Sequence, residues 1–160
     1  MINEVILASS SGIRLKILKD NKFKVKQISP GVDEEEIKAS LTNSGATCLQ
    51  IAKNLAELKA NRISTRYPGE VVIGADQVMD FEGKNYSKPN SKEEAKSILK
   101  LLNNNKHFLH SAVCVSRGGS MITNFHESCS LKVKNLTNKE IDEYIEGLDE
   151  EKMLKYGVYQ

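Results

Sequence analysis

Short apolar runs alternate with longer amphipathic stretches along the chain. Val5-Ile6-Leu7-Ala8 reads as a buried strand. It breaks into Ser9-Ser10-Ser11-Gly12 and enters a helix carrying Ile13, Ile17 and Leu18. From about residue 46 to 63, Leu49, Ala52, Leu55, Ala56, Ala60 and Ile63 fall on one helical face. Val71-Val72-Ile73-Gly74-Ala75, bounded by Pro68-Gly69, is a second buried strand. Val78–Phe81 and Lys84–Tyr86 predict a hairpin turning at Glu82-Gly83. Ser91 and Glu94 predict a capping box for a helix bearing Ala95, Ile98, Leu99 and Leu102, ended by Asn103-Asn104-Asn105. His107 to Ser116 reads as a strand, Gly118-Gly119 as a turn and Met121 to Lys134 as a long returning strand. Thr137 and Glu140 predict a second capping box, with Ile141, Tyr144 and Ile145 on the buried side and Gly147 as C-cap. The alternation predicts a single α/β domain over residues 1–160, with a mixed central sheet flanked by helices. Its 160 residues suffice to bury a core.

Three polar features interrupt this pattern. Asp76 stands at the end of the second buried strand, where a carboxylate is costly without a metal, a cation or hydrogen-bond donors. It either starts a turn or serves a site. Lys59 projects from the middle of an otherwise apolar helical face. It either snorkels along that surface or reaches an internal anion. The loop Ser9–Gly12 opens a helix whose first turn holds Arg14. Backbone amides, hydroxyls and the helix dipole favour an anion there, and Arg14 adds a permanently charged fork. An ordinary serine N-cap is the plainer alternative. The spacing is not that of a Walker A loop.

Composition narrows the classes. Net charge is +2, and a dedicated nucleic-acid binder carries a clear basic surplus. Aromatics are few and tryptophan is absent, so base-stacking platforms are not expected. Lys16, Lys19, Lys22, Lys24 and Lys26 read as solvated lysines. Cys48, Cys114 and Cys129 lack zinc or disulfide spacing and are expected as buried reduced thiols. His107, His110 and His126 also lack metal-ligand spacing. No signal peptide precedes the first strand, and no apolar stretch approaches membrane-spanning length. A cytoplasmic protein with no membrane partner is expected.

The motifs occur in an order that resembles the Maf family of nucleoside triphosphate pyrophosphatases, also called septum formation inhibitor proteins. The matching segments are Leu7-Ala8-Ser9-Ser10-Ser11-Gly12-Ile13-Arg14, Val32-Asp33-Glu34, Lys59-Ala60, Gly74-Ala75-Asp76-Gln77, and Lys88-Pro89 followed by Glu94-Ala95. They span nearly the whole chain. Gly12 and Ile13 depart from the proline and second arginine common in the family. Gly157-Val158-Tyr159-Gln160 matches the start of a further family segment. The resemblance implies that a later Gln or Glu, and the C-terminal part of the fold, lie outside this sequence.

The resemblance implies an inosine-triphosphatase-like fold with a cleft between two lobes. It implies hydrolysis of a nucleoside triphosphate between the α and β phosphates, helped by Mg²⁺ or Mn²⁺. Asp76, Lys59 and Lys88 would be catalytic. Ser9, Ser11 and Arg14 would bind substrate. Glu34 and Asp76 would hold the metal, with only the family match selecting Glu34 from the acidic run Asp33–Glu36. Ile13 and Gln77 would set base specificity. They resemble the branch acting on 7-methyl-GTP more than the branch acting on dTTP and UTP. A homodimer is the oligomer the resemblance suggests. Two other readings stand beside the enzyme: a non-catalytic nucleotide-binding regulator, for instance of cell division, and an interaction protein with a vestigial site.

Overall fold

The computed structural model describes residues 4–158. The elements run β1 (Glu4–Ala8), α1 (Gly12–Asp20), β2 (Lys24–Gln27), α2 (Glu34–Asn43), α3 (Cys48–Arg66), β3 (Val72–Phe81), β4 (Lys84–Tyr86), α4 (Lys92–Leu102), β5 (Lys106–Arg117), β6 (Ser120–Lys132), α5 (Asn138–Gly147) and α6 (Glu150–Tyr156). The sheet is mixed, ordered β2-β1-β3-β5-β6 with β4 paired to β3. β1 is parallel to both β2 and β3, and β3 is antiparallel to β4. The expected α/β class is thereby borne out. Among the described residues no helix is long and apolar enough to cross a membrane.

The chain divides into two compact units. One comprises residues up to Val78 with His110–Ser128; the other comprises Met79–Leu109 with the chain from Cys129 onward. The first unit is built around α3. A Thr47/Gln50 capping box starts that helix. Its buried face, Cys48, Ile51, Ala52, Leu55, Ala56 and Ala60, packs with Val78, Ala112 and Cys114. Gly74 lets the helix lie directly on β3. A Cβ there would fall 2.2 Å from the Ala56 carbonyl oxygen and 2.6 Å from the Ala60 nitrogen. No side chain larger than hydrogen fits between these two backbones. That close approach delivers Lys59 to β3. The second unit packs Ala95, Ile98, Leu99 and Leu102 of α4 against Ile141 and Ile145 of α5, with Phe81 and Met153.

Several local expectations are corrected. The Ser91 hydroxyl accepts from the Glu94 amide, but the Glu94 carboxylate accepts from the Asn90 amide, so the box is not reciprocal. Gly147 ends α5 as an ordinary helical residue, with Leu148 as the cap in extended conformation. Tyr144 is exposed rather than buried, and its hydroxyl donates to the Val158 carbonyl at 3.1 Å. Cys129 is exposed on β6, while Cys48 and Cys114 are buried as expected. Lys24 and Lys26 are exposed, as expected of solvated lysines, and they lie on the edge strand β2. Charged residues on an edge obscure the strand pattern and discourage further pairing. The Asp33–Glu36 run is the helix start its acidity suggested, with Asp33 as N-cap. Tyr159 and Gln160 lie outside the described residues.

Candidate active site

The site forms at the carboxyl end of β1, beside the middle of β3. Asp76, expected where a strand ends, lies inside β3, which runs unbroken to Phe81 and joins the two apolar runs read as separate strands. The pairing of β1 with β3 ends at Ala8 opposite Gly74. Beyond that point β1 turns into the serine loop, while β3 continues through Ala75 to Asp76. Ligands of open α/β sheets gather at such carboxyl ends.

The serine loop is tightly organised. The Ser9 hydroxyl oxygen accepts from the Ser11 amide at 3.2 Å and from Arg14 Nη1 at 3.0 Å. The same Nη1 donates to the Ala75 carbonyl at 2.8 Å. Ser11 is the N-cap of α1, its hydroxyl oxygen accepting from the Arg14 amide. Both hydroxyls therefore spend acceptor capacity inside the protein and keep a proton to donate to an anion. Gln27, which the sequence patterns did not single out, donates from Nε2 to the carbonyls of Ser9 and Ser11 at 2.7 and 3.3 Å. No residue of α1 is buried, and Ile13 is half exposed beside Arg14.

Lys59 and Asp76 meet at the other side of this loop. Lys59 is 2% exposed, and its Nζ lies 2.7 Å from Asp76 Oδ1 and 2.6 Å from Glu34 Oε1. Glu34 arrives on the first turn of α2, with its side chain 40% exposed. The apolar-face lysine is thus not a snorkelling residue: it is buried between two carboxylates. Asp76 is 5% exposed. Burial pushes its carboxyl above the usual value and Glu34 adds to the rise, while the charge and hydrogen bond of Lys59, and more weakly Arg14, oppose it. Its second oxygen, Oδ2, is buried with no hydrogen-bond partner among the described residues. An orphaned buried carboxylate oxygen is a group awaiting a ligand.

The structure therefore brings Ser9, Ser11, Arg14, Glu34, Lys59 and Asp76 together. Gln77 follows on β3, exposed, and its Nε2 donates at 2.8 Å to Ser111 Oγ on β5. Ser111 is a further residue that spacing could not reveal, because only strand pairing places it beside Gln77. Lys88 belongs to the second unit, and there its Nζ donates to the Lys155 carbonyl. Among the described residues no three His, Cys, Asp or Glu side chains cluster as a ready-made metal cage. Asp76 Oδ2 and the Glu34 carboxylate are nonetheless hard oxygen donors. They fit a cation such as Mg²⁺, which keeps several waters and takes further ligands from substrate phosphates.

The family model for Maf-like proteins matches residues 4–160. The chain is 48% identical over 160 residues to a nucleoside triphosphate pyrophosphatase of Pelagibacter ubique (strain HTCC1062), covering 100% of this chain and 82% of that protein. It is 32% identical over 160 residues to a 7-methyl-GTP pyrophosphatase of Brucella abortus biovar 1 (strain 9-941), covering 80% of that protein. Among solved structures, the Staphylococcus aureus Ham1 protein superposes with a TM-score of 0.56 at 20% identity, covering 81% of this chain and 71% of its own. That likeness concerns the fold. The sequence match over 4–160 establishes that this chain belongs to the Maf-like protein family.

Proposed function

We propose that the chain hydrolyses nucleoside triphosphates between the α and β phosphates, yielding a nucleoside monophosphate and pyrophosphate. The observation that carries this reading is the buried Lys59–Asp76 pair, with its orphaned Oδ2, beside the Arg14-bearing serine loop. The names of the two relatives support it. A triphosphate brings about four negative charges, and preorganised donors stabilise charge best where water is excluded. The loop hydroxyls and amides, Arg14 and Lys59 supply such donors; for Lys88 a catalytic role is proposed from the family motif alone. Water is the nucleophile. Its oxygen bonds to the α phosphorus, and the bond from that phosphorus to the bridging oxygen breaks with its electron pair leaving on pyrophosphate. Asp76 activates the water either by taking its proton on Oδ2 or by holding a cation that would acidify it. A divalent cation, Mg²⁺ or Mn²⁺, would be held by Asp76 and Glu34 and would neutralise phosphate charge and acidify water. The rest is the work of the side chains: Lys59 orients Asp76, and Arg14 fixes the loop to β3.

Ile13 and Gln77 are the proposed base-selecting residues, with a methylated guanine such as that of 7-methyl-GTP as the favoured base. Destruction of modified nucleotides before their incorporation is the corresponding role. The test is pyrophosphate release over a panel of canonical and modified triphosphates with Mg²⁺ or Mn²⁺, using Asp76→Asn as comparison. That change is expected to lower turnover at least about 100-fold, as for loss of an acid–base group. Near-normal turnover in Asp76→Asn removes the role given to Asp76. Triphosphate binding without pyrophosphate release in the unaltered protein would replace the enzyme with a nucleotide-binding regulator.

A further inference from the structure

Gln27 stands on the edge strand β2, opposite Leu7 in the parallel register. Its carboxamide nitrogen donates to the carbonyls of both Ser9 and Ser11, the two ends of the serine loop. Both partners are acceptors only, so the nitrogen and not Oε1 must face the loop. We propose that Gln27 is the positioning residue of the triphosphate-tail loop, holding the Ser9 carbonyl oxygen away from the bound anion. The inference rests on reading that loop as the phosphate site. A carbonyl oxygen carries partial negative charge, and a bare one beside a polyphosphate repels it. The short bond, 2.7 Å, holds the Ser9 carbonyl toward β2; the Ser11 carbonyl, 3.3 Å away, also accepts from the Leu15 amide as the first bond of α1. The donors the loop then offers an anion are the exposed Ser10 hydroxyl, the protons of the Ser9 and Ser11 hydroxyls, and the first-turn amides of α1. The same Ser9 that Gln27 holds through its carbonyl accepts from Arg14 through its hydroxyl. Gln27 thereby also steadies the arginine without touching it.

Gln27→Met keeps the reach of the side chain and removes the donors. Steady-state pyrophosphate release by this variant should show KM raised about tenfold with kcat changed less than about twofold, the signature of lost binding rather than lost chemistry. Binding of a non-hydrolysable triphosphate analogue and of the matching monophosphate, by calorimetry, should show the larger loss for the triphosphate. Gln27→Asn, with the donors on a shorter arm, should fall between. Gln27 is exposed, so both variants should melt near the unaltered protein. An unchanged KM, a fall in kcat alone, or equal losses for triphosphate and monophosphate would overturn the proposal. If the unaltered protein turns over the triphosphate and Gln27→Met matches it, only the role of Gln27 falls. If the unaltered protein neither binds nor hydrolyses any triphosphate, the reading of the loop falls and takes this role with it.

Discussion

Replacing Lys59 with methionine tests the electrostatics of the site most directly. Methionine fills the space of the lysine stem and removes its charge. Glu34 loses a partner but is 40% exposed, so that loss is worth under about 1 kcal/mol. Asp76 is 5% exposed and loses the group that opposes the effect of its burial. Breaking a buried pair by removing one partner costs about 3–5 kcal/mol. Here the cost has a ceiling, because Asp76 can take up a proton instead of staying charged. Its ordinary value is 3.8, and each pH unit above that costs about 1.4 kcal/mol to keep the acid neutral. At pH 7 the ceiling is therefore about 4 kcal/mol. The sign follows from the direction of the shift. The folded pKa lies above the unfolded one, so the native state binds the proton more tightly. The stability it contributes is full below about pH 3.8 and is lost as pH rises through the folded pKa. In Lys59→Met the folded pKa climbs further and the window widens upward. Urea unfolding between about pH 4 and pH 7 should show Lys59→Met losing up to about 1.4 kcal/mol per pH unit relative to Lys59→Met/Asp76→Asn, in which the slope vanishes. A flat difference between the two variants, or a loss at pH 7 under about 1 kcal/mol, would mean that Asp76 is solvated and the proposed site chemistry is wrong.

Two further changes probe the scaffold. Gly74→Ala puts a methyl group against the α3 backbone at Ala56 and Ala60 and should cost at least about 1–3 kcal/mol. It should also lower turnover by moving Lys59 off Asp76; unchanged melting and unchanged turnover would contradict the helix-on-strand contact. Ser111→Ala removes the hydroxyl that Gln77 Nε2 donates to and should change the ratio of kcat/KM between bases by about two- to tenfold, one hydrogen bond's worth. A ratio identical to that of the unaltered protein, in the same nucleotide panel, would separate Gln77 from base selection.

Periodicity and capping chemistry alone located most of the elements. The apolar run at Val5–Ala8 is a strand and that at Val71–Ala75 opens one, because burial suits a parallel pair covered by helices; that this second strand runs on through Asp76 to Phe81 was not legible. The α3 stripe and the Thr137/Glu140 box read directly because they depend on residues three or four apart. The polar residues that broke these patterns, Asp76, Lys59 and Arg14, were likewise legible, since a misplaced charge shows against an apolar background. β2 and α6 were not: a four-residue charged edge strand and a seven-residue helix carry too little pattern to stand out.

Only the tertiary structure decided what those charges do. Nothing local separates a snorkelling lysine from one clamped between Glu34 and Asp76, which stand 25 residues before it and 17 after it. Nothing local marks Gln27 or Ser111, because each acts across a strand boundary on a residue far away in the chain. Local sequence sets torsional preference and which faces are apolar, both properties of neighbours along the chain. A site is a property of neighbours in space, and those are settled by the pairing of β1 with β3 and by the bare backbone of Gly74, which admits α3 close enough for its lysine to reach an aspartate.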